Sequence, residues 1–293
     1  MGNSRFHEIF KRFESGLKRD GGLKPFLFDE VVPTGFEELD RHLDGFVAGE
    51  IILITGDKAV GKTAFLVGLM RNWILLKTPM AFFSMKYYSE LIMLRLVSQM
   101  GGVVSEVIRR GQLLEKELNQ LFLAVQPLEN ASVSLFDDVL TLDTLEEQIH
   151  YLVLEKGIKE VLIDDFSLIR VSNAEVISET ERLGIIAKRL KVIAQNYGIV
   201  VVMNTVCKSL SINRRKAGVG GWNTCDIVKK EFDLDAFDAV VAIDRPEYYG
   251  LENGTTNNSV LGVASLFFLK IRSKDEFSVK LKFDSKTSNF LEK

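Results

Sequence analysis

The clearest chemistry in the sequence lies in Gly56-Asp57-Lys58-Ala59-Val60-Gly61-Lys62-Thr63, followed by Ala64. The spacing is G-x-x-x-x-G-K-[ST], that of a loop built to wrap phosphate oxygens. Its two glycines let the backbone approach an anion closely. Its N–H groups and the start of the next helix supply donors and positive potential. Lys62 is placed to reach β- and γ-phosphates, and the Thr63 hydroxyl to ligate Mg²⁺. Residues 56–64 are therefore expected to bind ATP with Mg²⁺.

Such a loop needs a strand before it and a helix after it. The apolar run Ile51-Ile52-Leu53-Ile54-Thr55 provides the strand, and Ala64 to Met70 has helical apolar spacing. A second apolar strand, Glu160-Val161-Leu162-Ile163, ends in Asp164 and Asp165. In an open α/β sheet the ligand crevice lies at the carboxyl ends of the strands, so Asp164 is expected to share the Mg²⁺ with Thr63. Further strands are expected at 79–84, 132–136 and 199–203, with helices at about 89–100, 115–125, 142–157 and 178–197. This alternation argues for a mostly parallel sheet flanked by helices. From Asp238 onward the pattern turns to strands, at 238–243, 261–271 and 277–284, with a turn at Asn253-Gly254. The predicted fold class is α/β with antiparallel strands at its C-terminal edge.

Composition narrows the function classes. At 293 residues and 46% hydrophobic content the chain can bury one large core. A net charge of −3 is no general nucleic-acid signature, so any such contact must be local. Cys207 and Cys225 are too few for a disulfide framework or a zinc site, and His7, His42 and His150 lack ligand spacing. No apolar run approaches the roughly 20 residues of a membrane span, and the charged N-terminus lacks a signal-peptide core. A cytoplasmic, reducing setting without membrane contact is expected. Residues 1–24 carry Phe6, Ile9, Phe10, Phe13 and Leu17 at helical spacing, ended by Gly21-Gly22. They are expected to form a separate amphipathic helix ahead of an ATPase domain over 25–293.

These residues together resemble the RecA-like motor domain of DnaB-type bacterial replicative helicases. The likeness is carried by Val32-Pro33-Thr34-Gly35-Phe36, Phe83-Ser84 with Arg95, Arg110-Gly111-Gln112-Leu113, Ile163 to Arg170, Asp235 to Asp238, and Lys270-Ile271-Arg272. It spans about residues 31–293. It implies a RecA-like core in a hexameric ring, ATP between subunits, and single-stranded DNA through the centre. By this resemblance Arg272 is an arginine finger acting on a neighbour's phosphate, assisted by Lys270. Arg272 is expected to lack a partner in its own subunit, so that a ring is needed. The N-terminal helix is similar to the family's linker helix. No separate N-terminal domain of the kind that meets primase is expected, which leaves a primase or loader as a possible outside partner.

The sequence also departs from the family. A glutamate base is expected after Phe83-Ser84, and Lys86 stands there instead. An ammonium cannot take a proton from water, and losing a positioned base typically costs about 10²–10⁴ in rate. Glu90 and Asp165 are the candidates to replace it. The polar sensor position after the 199–203 strand is Val206, with Asn204 and Thr205 as partial substitutes, and position 228 is Val rather than Arg. Slow or absent hydrolysis is therefore expected.

Between Cys207 and Cys225 there is no acid, while Lys208, Arg214, Arg215 and Lys216 are basic among glycines and Trp222. By charge alone this is a solvated loop. In the family's register it is the pore loop that tracks single-stranded DNA. Three functions fit: an ATP-driven helicase, an assembly or regulatory protein that binds nucleotide without productive turnover, and a RecA/RadA-like recombination ATPase.

Overall fold

The computed structural model describes residues 31–138, 141–171, 178–207, 232–250, 259–272 and 275–292. The expected N-terminal helix, the Asn253-Gly254 turn and Lys208, Arg214, Arg215 and Lys216 lie outside them.

Eleven strands are formed among the described residues: β1 Val31–Val32, β2 Phe46–Val47, β3 Ile51–Thr55, β4 Met80–Ser84, β5 Val133–Phe136, β6 Glu160–Asp164, β7 Val200–Asn204, β8 Ala239–Asp244, β9 Val263–Ile271, β10 Phe277–Asp284 and β11 Asn289–Leu291. The α-helices are α1 Glu37–Leu43, α2 Lys62–Leu75, α3 Ser89–Gly101, α4 Ser105–Arg110, α5 Glu115–Val125, α6 Leu142–Lys156 and α7 Glu179–Tyr197. Nine strands form one sheet in the order β11-β10-β9-β8-β3-β7-β6-β4-β5. Pairings from β8 to β5 are parallel, and those from β8 to β11 antiparallel. The predicted fold class is therefore the observed one.

The central strands read as unbroken apolar runs because both of their faces are covered. Ile52, Ile54, Phe82, Leu162 and Val202 pack beneath α2 and α3, against Phe65, Leu69, Trp73, Ile92 and Leu96. Ile51, Leu53, Phe83, Val161 and Ile163 face the other way, onto Leu145, Ile149 and Leu152 of α6 and Ile186 and Leu190 of α7. Strand alternation thus divides the core into two layers. The Thr141 and Ser178 hydroxyls accept from the N–H groups of Thr144 and Glu181, capping α6 and α7, each worth roughly 1 kcal/mol.

Three elements are new relative to the sequence reading. The β1–β2 ribbon and β11 are two or three residues long, too short to show a period of two. Six-residue α4 is likewise too short for a helical stripe. The turn at Pro33-Thr34-Gly35 is nonetheless tightly held: Asp40 accepts from the N–H groups of Thr34 (2.7 Å) and Gly35 (3.0 Å), and Trp73 Nε1 donates to the Pro33 carbonyl at 2.8 Å.

Candidate nucleotide site

Sheet register assembles the site. Asp164 on β6 lies opposite Ser84 on β4 and Asn204 on β7, and Asn204 lies opposite Ile54 on β3. This row crosses the carboxyl ends of four parallel strands. Residues just beyond it, the P-loop after β3 and Lys86 after β4, must therefore share one crevice.

The P-loop backbone needs its two glycines. Gly56 has φ +146, and a Cβ there would sit 2.8 Å from the Ile243 carbonyl oxygen; Gly61 has φ +117, with the Phe290 ring 3.2 Å from an added Cβ. Gly61 caps α2, whose first turn holds no acid, so its positive end is left for an anion. Lys62 is buried and folds back over the loop, donating from Nζ to the carbonyls of Asp57 (2.6 Å) and Gly56 (3.2 Å). Burial lowers its pKa from 10.5 to about 8; the Asp165 carboxylate opposes this and the nearby Lys86 ammonium adds to it.

Asp164 is 1% exposed. Its Oδ1 accepts from Asn204 Nδ2 at 2.7 Å, and Thr63 also hydrogen-bonds its side chain. Its Oδ2 is buried without a hydrogen-bond partner. Burial raises its pKa, while the bonds from Asn204 and Thr63 pull the other way. A buried, unpartnered carboxylate oxygen beside a hydroxyl on a P-loop helix fits a hard divalent cation. The crevice encloses ≈ 230 Å³ and is lined by Lys62, Thr63, Lys86, Asp164, Asp165 and Asn204, among others. That is less than the ~300–1,000 Å³ of sites that bury a whole ligand, and suits the phosphate end of a nucleotide.

Lys86 lines this crevice, so no carboxylate stands at that position. Of the two candidate replacement bases, Asp165 reaches the crevice, where its Oδ1 also accepts from the Ser167 N–H and hydroxyl. Glu90, on the first turn of α3, is exposed and does not line it. Arg95 does, its guanidinium 4.3 Å from the Tyr87 ring centroid, with Lys86 Nζ 5.3 Å from the same ring. Asn204, one of the suggested substitutes for Val206, is the polar group that meets the metal carboxylate. Sequence reasoning missed Tyr87 and Gln99 at the rim, and Ser288, which comes from the far C-terminal edge. Gln99 Nε2 joins the Ala64 and Ser288 carbonyls at 3.0 and 2.9 Å. No local pattern marks such residues, because their role depends on which strands are neighbours.

The expectation that Arg272 has no partner in its own subunit is overturned. Its Nε donates to Glu50 Oε1 at 2.7 Å and its NH2 to Oε2 at 3.1 Å; the carbonyls of Leu43 and Gly45 accept at 3.0 and 2.9 Å. Five residues of β3 separate Glu50 from the P-loop, a rise of roughly 16 Å, so Arg272 cannot serve the phosphate site of its own subunit. Lys270 Nζ donates to the Leu234 carbonyl at 2.9 Å and lies 3.5 Å from Asp235.

The order of strands and the P-loop crevice define a RecA-like P-loop ATPase domain. The solved ATPase domain of one helicase-type structure matches it at a TM-score of 0.79 and 19% identity, covering 99% of this chain and 98% of that one. The family model "DnaB-like helicase C terminal domain" matches residues 31–292, and the chain belongs to that family. It is 27% identical over 258 residues to the replicative DNA helicase DnaC of Bacillus subtilis, and 25% identical over 258 residues to the replicative DNA helicase DnaB of Geobacillus stearothermophilus. Each match covers 83% of this chain and 56% of the relative, so the chain spans about half the length of these curated relatives. A solved DnaB-like replicative helicase, described with its interactions with primase, aligns at a TM-score of 0.78 and 20% identity, over 100% of this chain and 67% of that one. Among the described residues no helix is long and apolar enough to cross a membrane.

Proposed function

We propose that this chain is an ATP-binding motor domain of a DnaB-like replicative helicase, working as a homo-oligomeric ring on single-stranded DNA in the cytoplasm, with slowed hydrolysis. The observation that carries the reading is the crevice in which Lys62, Thr63, Asp164 and Asn204 converge while Lys86 fills the place expected for a carboxylate base. Lys62 and the α2 N-terminus bind phosphate oxygens; Thr63 and Asp164 hold Mg²⁺. Bound Mg²⁺ bridges phosphate oxygens and neutralises their charge. Lys86 adds a second cation on the phosphates but cannot accept a proton, which leaves Asp165 to orient water. Arg272, out of reach of its own P-loop, acts on a neighbour if it acts on phosphate at all, with Lys270 beside it. The basic segment at Lys208, Arg214, Arg215 and Lys216 tracks the DNA, residues 1–24 link subunits, and a primase or loader is the natural outside partner.

The same lysine favours a second reading, in which ATP sets assembly or partner contacts without turnover. The deciding experiment is ATP hydrolysis with and without single-stranded DNA, for wild type, Lys62→Ala and Lys86→Glu. DNA-stimulated turnover that Lys62→Ala abolishes supports the motor. Tight ATP binding with negligible turnover, and activity gained by Lys86→Glu, supports the second reading. Wild type that binds no ATP sinks both.

A further inference from the structure

Asp57, the second residue of the P-loop, puts a negative charge on a loop that binds anions. Its Oδ2 accepts a hydrogen bond from the Tyr249 hydroxyl at 2.6 Å. The two groups are 192 residues apart in sequence, and the tyrosine is buried, only 7% exposed. Tyr249 ends a 3₁₀ turn, Pro246–Tyr249, that leaves β8 at the same carboxyl edge as the P-loop. This turn is anchored on both sides. The Arg245 guanidinium lies 3.5 Å from the Phe283 ring centroid and its NH2 is 2.7 Å from Glu247 Oε1. Glu247 Oε2 in turn accepts from the Gly262 N–H at 2.7 Å, at the start of β9.

The position matters because of Lys62. The lysine Nζ bonds the Asp57 carbonyl, and the Asp57 carboxylate is one of the charges whose field it feels. A carboxylate free to turn along the loop would compete with phosphate for that ammonium and repel each phosphate charge directly. A phenol fixed by the β8–β9 connection holds it to one side, since a charged acceptor takes a strong, short hydrogen bond.

We infer that Tyr249 is a positioning residue for nucleotide binding: its hydroxyl keeps the Asp57 carboxylate off the phosphate path, so that Lys62 is left for a nucleoside di- or triphosphate. The inference rests on the P-loop reading above. Its effect grows with phosphate charge and disappears once the carboxylate is neutralised.

The test is calorimetric titration of Mg·ATP and Mg·ADP into wild type, Tyr249→Phe, Asp57→Asn and the double variant. Tyr249→Phe should weaken ATP binding roughly tenfold and ADP binding less. In the Asp57→Asn background the same change should cost at most about twofold, because no charge remains to be held. A tyrosine that merely packed the turn would cost the same in both backgrounds, and that result overturns the inference. Should Tyr249→Phe fail to fold, Asp57→Asn still decides: tighter binding, with a larger gain for ATP than for ADP, is expected, and unchanged or weaker binding overturns it. Wild type that ignores both nucleotides defeats the nucleotide reading itself, a separately visible outcome.

Discussion

Arg272 and Glu50 form a two-pronged ion pair at the amino-terminal edge of the sheet, with side chains only 22% and 12% exposed. Arg272 sits there in the left-handed region, at φ +41, just beyond β9. The bulge between Val240 and Val241 brings Ile271 onto the same face as Phe268, and the chain then delivers Arg272 to the loop ahead of β3. Glu50 Oε2 also accepts from the Val47 N–H at 2.8 Å, so the pair ties β9, β2 and β3 together.

Glu50→Ala and Arg272→Ala should each lower stability by roughly 1–3 kcal/mol, and together by much less than the sum. Urea unfolding of the four proteins checks this. Additive losses would mean the pair is not a unit. A drop in ATPase activity with Arg272→Ala therefore counts as loss of an arginine finger only if mixed rings, one subunit type lacking Arg272 and the other Lys62, regain activity.

Lys62 gives a pH signature. Its folded pKa, about 8, lies below the model value of 10.5. For a base lowered on folding, the charged form is disfavoured in the native state. Taken alone, this lysine costs stability below about pH 8, and the cost fades as pH rises towards 10.5. Phosphate needs the ammonium, so ATP affinity should be flat below about pH 8 and fall above it by up to tenfold per pH unit. Calorimetry in buffers of different ionisation enthalpy should show proton uptake on binding at about pH 8.5, and Lys62→Arg should abolish it. Affinity unchanged through about pH 9.5 would mean that the lysine is not so depressed.

Asp164 should set the metal requirement. With Asn204→Ala its Oδ1 loses the 2.7 Å bond, and half-saturating Mg²⁺ for ATP binding should rise about 10- to 100-fold. Because burial raises the Asp164 pKa, protonation begins earlier than for an ordinary carboxylate, and the Mg²⁺ requirement should climb as the pH is lowered. A Mg²⁺ titration indifferent to both changes would remove Asp164 from the metal site.

Whatever turnover exists should depend on Asp165 rather than Glu90. Asp165→Asn is expected to cut the single-turnover rate by roughly 10²-fold, and Glu90→Gln by less than about twofold. The reverse ranking would mean that α3 moves into the crevice when nucleotide binds.

Replacing Arg214, Arg215 and Lys216 with Ala should reduce the slope of log K against log salt for single-stranded DNA by about 2, as expected when three phosphate contacts go. An unchanged slope would place the DNA path elsewhere.

Much of this protein could be read before its structure. The P-loop declares itself because backbone approach, lysine and hydroxyl all lie within eight consecutive residues, and the apolar runs on either side fix strand and helix. Asp164 was legible because a metal carboxylate must follow a buried strand. Lys86 was legible only by register against a family. Three features had no local signal at all: Asn204 rather than Val206 at the metal carboxylate, Tyr249 on Asp57, and Glu50 on Arg272. Each joins residues between 40 and 222 positions apart.

The sequence by itself determined the element types, the two-sided burial of the central strands and the chemistry of the phosphate loop, since all of these follow from spacing within a few turns of chain. Only the tertiary structure decided which strand ends meet and which charges neutralise one another. Strand order and register are global choices, so a side chain's partner lies across the sheet, and the lone arginine of the sequence became a clamped one when β9 was laid beside β8.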